Sequence, residues 1–127
     1  MKNSKISKKI TGCLERSECP VTNTLDLIGD KWTLLVIRGM LFLKKKLFNE
    51  FLVSPEGIAT NILTERLKRL EEHGVIEKRP YTQTPVRYEY RLTRRGEDLR
   101  PLLMEMIRWG NVHVEGTSIP PKKFLKK

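Results

Sequence analysis

The 127 residues predict an α+β domain, mostly helical, on two observations. Apolar residues recur at helical spacing through several successive segments, whereas one late stretch, "VIEKRPYTQTPVRYEYRLT", changes to a period of two. Together they give the order helix, helix, helix, helix, strand, strand, helix.

The elements follow from the N-terminal side. "CPVTNTLDLIGDKWTLLVIRGML" holds two helical patterns. In the first, Val21, Leu25 and Ile28 lie at i, i+4 and i+7, Pro20 falls in the opening turn, and Gly29 marks the stop. Asp30 is placed to cap the second, whose face carries Trp32, Leu35, Val36 and Met40. Lys44, Lys45 and Lys46 break the pattern. A short helix with Phe48, Phe51 and Leu52, over residues 47–53, is stopped by "SPEG". After Gly57, residues 59–73 give the clearest helix, with Ile62, Leu63, Leu67 and Leu70 as its buried stripe and Gly74 as its end. Thr60, Asn61, Thr64, Glu65 and Lys68 fall on its outward side. Next come two strands, in which Tyr88, Tyr90 and Leu92 alternate with Arg87, Glu89 and Arg91; Pro80 and Pro85 bracket the tip and mark a ribbon with free edges. Thr93 caps a last helix with Leu99, Leu102, Leu103, Met106 and Ile107 apolar. Pro101 inside that pattern predicts a kink or a later start.

Two helices joined tightly and followed by a two-stranded ribbon make a winged helix-turn-helix, with a β-hairpin as the wing. Such a fold offers the first turns of its second helix to the major groove of DNA. Thr60, Asn61, Thr64, Glu65 and Lys68 are side chains able to bond base edges. Wing residues Arg79, Thr82, Gln83, Thr84 and Arg87 are expected over the backbone or in the minor groove, and Lys31 is a candidate phosphate contact. A face carrying Asn, Glu and Lys is equally what a merely solvated helix shows. It is the helix pair and the wing together that favour double-stranded DNA over a module for protein contact alone.

Composition bounds the alternatives. The length suits one domain with a single modest core. The formal net charge of +10 sits mostly at the ends, each with four lysines and no acid in ten residues, while residues 11–117 hold 17 basic and 15 acidic side chains. Residues 1–12 and 117–127 therefore read as basic flexible tails around a domain at 13–116. No apolar run approaches a membrane span, and no apolar stretch follows the N-terminal lysines, so the expected location is the cytoplasm of a prokaryote. There is no Gly-rich phosphate loop, no nucleophile–His–acid set and no metal-ligand spacing among Cys13, Cys19, His73 and His113. Neither an enzyme, a cofactor nor a metal is expected.

The chain resembles a known family in "CPV", "LIGDKWTLLVIR", "FNEF", "GIATNILTERLKRLEEHGVIEKRPY" and "PVRYEYRLTRRG", in order over residues 19–112. These motifs are similar to those of HxlR-type transcriptional regulators, winged-helix relatives of the MarR proteins. The resemblance implies a homodimer on an inverted-repeat operator, more in keeping with a repressor than an activator. It also implies dimerisation through the N- and C-terminal helices. Leu25, Leu99, Leu102, Leu103, Met106, Ile107 and Trp109 would supply that contact, though the same residues could be ordinary core. In several members the cysteine before "PV" senses oxidants or electrophiles; here that is Cys19, with Cys13 as a possible resolving partner. The bland reading is a small residue buried at the interface. Many members carry serine after Gly-Ile, whereas this chain has Ala59, so Thr60 is a candidate cap one residue later.

Overall fold

A computed structural model describes residues 9–10 and 16–118. Among these residues six helices and two strands follow in order: α1 (Pro20–Ile28), α2 (Lys31–Phe42), α3 (Phe48–Leu52), α4 (Thr60–Glu72), β1 (Ile76–Gln83), β2 (Val86–Leu92), α5 (Arg94–Glu97) and α6 (Arg100–His113). The expected order holds, with one division. Thr93 does cap, accepting from the Gly96 N–H at 3.3 Å, but only the single turn α5. The chain then restarts as α6 with Pro101 in the opening turn, where its missing N–H costs no helical bond. Most of both tail segments, and Cys13, lie outside the described residues.

The core forms where α2 and α4 meet. From α2 it takes Val36, Ile37, Met40, Leu41 and Phe42, and from α4 Leu63, Leu67 and Leu70, with Phe51, Val75, Ile76 and Leu103 closing it. Trp32 and Leu35 are only partly buried, while Ile37 and Leu41 are fully so. Alpha-helix α2 is apolar nearly all round, so its periodicity could not say which side turns inward.

The helix-to-strand junction is tight. Gly74 takes φ +74°, a conformation unfavourable for any residue with a Cβ, so that Val75 N–H can reach back to the Leu70 carbonyl at 2.9 Å. The strands pair antiparallel from Ile76 opposite Leu92 to Gln83 opposite Val86, and an irregularity at Pro80–Thr82 leaves Tyr81 unpaired. Pro80 has no N–H to donate to the ladder at that point. Only the base of the hairpin packs: Tyr90 and Leu92 lie against the core, while Tyr88 remains 45 % exposed. The alternation places Tyr88 correctly on the face of Tyr90. The hairpin, however, outruns the body that would cover it. Tyr88 instead receives the Lys78 ammonium 4.7 Å from its ring centre.

At Gly96 a Cβ would stand 2.4 Å from the Val75 carbonyl oxygen and 2.6 Å from Leu92 Cδ2, with backbone on one side and packed core on the other. Gly96→Ala is expected to destabilise the fold by about 1–3 kcal/mol, as overpacking does. The check is thermal or urea unfolding.

Candidate nucleic-acid interface

The turn before α4 sets how that helix meets solvent. Gly57 adopts φ +71°, Ile58 is buried as an anchor, and Ala59 holds the N-cap position in extended geometry with no side-chain bond to the helix. Thr60 is therefore the first helical residue and not the cap. Its side chain is exposed, as are those of Asn61, Thr64, Glu65 and Lys68, while Leu63, Leu67 and Leu70 are buried. The five polar residues expected on the outward face all lie there. The Thr64 hydroxyl donates to the Thr60 carbonyl at 3.0 Å, which leaves its oxygen as an acceptor.

Beneath this face is an ion-pair cluster that sequence reasoning missed. Asp30 caps α2 by accepting from the Thr33 N–H at 2.9 Å and its hydroxyl at 2.7 Å. The same carboxylate accepts from Arg66 Nε at 3.1 Å and from an Arg69 terminal nitrogen at 2.7 Å, both on α4. Arg66 also donates to Glu65. Burial opposes the charge on Asp30, but the bonds from Thr33 and Arg66 outweigh it and bring the carboxyl down to about 2. One signal was available in the sequence. Arg66 and Arg69 each precede a leucine of the buried stripe, which puts them at its margin against whatever α4 covers.

A second pair secures the approach to α4. Arg38 on α2 grips Glu56 through both terminal nitrogens, at 2.9 and 3.1 Å, and that bonding holds Glu56 down to about 2 despite partial burial. Ahead of α3, the Glu50 carboxylate accepts from the N–H groups of Lys46 and Leu47 at 2.8 and 3.0 Å. The Lys46 carbonyl in turn accepts from Tyr90 N–H at 2.8 Å, and the Phe51 and Tyr90 rings meet edge to face. The base of the wing is thus fastened to the first helix of the pair.

Farther out, Arg79, Gln83, Thr84 and Arg87 are exposed. Thr82 is half-buried and donates its hydroxyl to the Pro85 carbonyl at 2.7 Å, so it closes the tip. Arg79 lies 3.4 Å from Glu77. Lys31 is exposed in the first turn of α2, its ammonium 5.1 Å from the Trp32 ring centre.

The terminal helices split the apolar stripe between two environments. Leu103 is buried in the core of its own chain, and Leu99 and Ile107 pack partly against that core. Leu25, Leu102, Met106 and Trp109 are 41–57 % exposed, joined by Val21 and Val112. Cys19 is the N-cap of α1 and is exposed, so within one chain it is not a buried packing residue. The Thr22 N–H and hydroxyl, then the Val21 N–H, hold its thiol below the ordinary value. Arg16, three residues before the thiol, pairs with Asp26 at 2.7 Å.

Among the described residues no cluster could hold a metal ion, and no helix is long and apolar enough to cross a membrane. The fold and its exposed helix face define a winged helix-turn-helix transcription factor. The chain belongs to the family described as HxlR-like helix-turn-helix, which it matches over residues 27–118. It is 37 % identical over 107 residues to sll1512 of Synechocystis, an uncharacterised transcriptional regulator of the helix-turn-helix type, covering 84 % of this chain and 78 % of that one. Among solved structures, PA1607, a candidate transcription factor, superposes with a TM-score of 0.72 at 39 % identity, over 84 % of this chain and 74 % of the other. The oxidised form of the redox regulator HypR gives 0.68 at 37 %, over 76 % and 99 %. The protein is accordingly a transcriptional regulator of the helix-turn-helix type and not an enzyme.

Because the carboxyl of Asp30 is depressed in the folded state, its stabilising effect is complete above the ordinary carboxylate value of 3.8 and is lost as pH falls toward about 2. Asp30→Ala should lower stability at neutral pH by about 1–2 kcal/mol through loss of the cap alone. It should also shrink the drop in melting temperature between those pH values.

Proposed function

We propose that the protein is a homodimeric repressor that occupies an inverted-repeat operator and is released by a chemical signal. The observation that carries this reading is the polar first turns of α4, exposed over a fully buried leucine stripe. Thr60, Asn61, Thr64, Glu65 and Lys68 would meet base edges, which they can bond with hydroxyl, amide, carboxylate and ammonium groups. Arg79, Gln83, Thr84 and Arg87 on the wing, with Thr82 shaping its tip, would contact the backbone or the minor groove, and Lys31 a phosphate.

Dimerisation is supported by the apolar residues that α1 and α6 leave exposed: Leu25, Leu102, Met106 and Trp109. A chain that buried them against a second copy would present two copies of α4 to successive major grooves, about 34 Å apart. Leu99, Leu103 and Ile107 would then support the contact from below. Cys19 at the N-terminus of α1 would link a thiol-reactive signal to the same helix that carries Leu25. HypR, to which the chain is similar, is by name a redox regulator, and this supports the reading. The competing reading, a winged helix used for protein contact alone, has no specific observation in its favour.

Footprinting on the DNA upstream of the gene should protect two half-sites separated by about one helical turn. Absence of any protected site there or in selected random duplexes would remove the reading. Arg87→Ala should reduce the slope of log affinity against log salt by about one unit if it neutralises one phosphate. Trp109→Asp combined with Leu102→Asp should convert the dimer to monomer in sedimentation equilibrium. Diamide should lower operator affinity in the parent protein and leave Cys19→Ser unaffected; unchanged binding by the oxidised parent would exclude the thiol from signalling.

A further inference from the structure

Glu65 is an anomaly on a DNA-facing helix, because an isolated carboxylate beside phosphates is repelled. Its surroundings resolve this. Arg66 bonds Glu65 Oε1, and the Arg66 Nε is itself fixed on Asp30 Oδ1 at 3.1 Å. Asp30 is immobilised in turn by the Thr33 N–H and hydroxyl and by Arg69. The four charged groups, Asp30, Glu65, Arg66 and Arg69, sum to zero, so the cluster can approach a duplex without net repulsion. Arg66 is only 20 % exposed against 52 % for Glu65, so the anchor lies inside and the carboxylate outside. Glu65 Oε2 makes no hydrogen bond among the described residues.

Resting on the DNA-reading function above, we propose that Glu65 selects a cytosine at one position of each half-site. Asp30, acting through Arg66, is the positioning residue that aims it. A carboxylate can only accept hydrogen bonds. In the major groove cytosine offers the N4 amino group without the adjacent N7 acceptor that accompanies the amino group of adenine. Guanine and thymine present only acceptors on the corresponding edge, and these repel a carboxylate. A carboxylate with one oxygen fixed points the other in a single direction, so little side-chain freedom is lost on binding.

The test begins with selection from a randomised duplex library by the full chain. Fluorescence anisotropy then follows on the selected duplex and its three substitutions at each half-site position. The parent should prefer C·G at one position. Glu65→Gln should reduce that preference about tenfold, since an amide can donate as well as accept, while leaving preferences elsewhere unchanged. Asp30→Asn keeps a good capping residue but removes the charge that holds Arg66. It should weaken the same preference about threefold without changing the salt slope, its folding checked by circular dichroism. A merely structural role for Asp30 would weaken all duplexes alike and sink the positioning claim. If a sequence is enriched but Glu65→Gln reads it as the parent does, the cytosine assignment is overturned and DNA reading survives. If no sequence is enriched at all, both fall.

Discussion

The contact between α4 and α2 is the constraint on which the remaining geometry depends. It has an apolar part, Leu63, Leu67 and Leu70 against Ile37 and Leu41, and a polar part at its margin where Asp30 meets Arg66 and Arg69. The apolar part supplies most of the favourable free energy, as burial of several large side chains does. It does not fix direction well, because leucines tolerate small rotations. The bonds at Asp30 do, since a carboxylate that caps one helix by accepting from Thr33 and also accepts from two guanidinium groups has few alternative arrangements. One residue thus begins one helix and sets the roll of another.

The wing is built on the same economy. Its base is held by Val75, Ile76, Tyr90 and Leu92 in the core and by the Tyr90 N–H to the Lys46 carbonyl. Beyond Tyr90 it keeps an ion pair to the body, Lys46 to Glu89 at 3.7 Å, and farther out its strand pairing maintains it. A two-stranded ribbon is marginal by itself.

The thiol illustrates how local geometry can be separated from sequence neighbours. Glu18 and Arg16 flank Cys19, yet the groups acting on its charge are the N–H and hydroxyl of Thr22 and the N–H of Val21, all from the first turn of the helix it caps. Arg16 is engaged by Asp26 across ten residues. Helix start and thiol chemistry are therefore one feature: "CPV" places proline at the first turn and leaves the cysteine as cap.

Periodicity and punctuation alone determined the order of elements, though not the division of the last helix into α5 and α6, together with the leucine stripe of α4, the turn at Gly74 and the exposure of Thr60, Asn61, Thr64, Glu65 and Lys68. These are local properties, each decided by residues within a turn or two of one another. Tertiary structure decided what depends on helices crossing. Ile37 and Leu41 are buried more fully than Trp32, which packs at the edge of the core; Leu103 joins its own core while Leu102 and Trp109 stay outside, and Tyr88 escapes cover because the ribbon is longer than its support. Above all, it joined Asp30 to Arg66 and Arg69 across 36 and 39 residues. No spacing rule encodes such a pair, because the distance between two helices is fixed by the side chains packed between them rather than by the chain that connects them.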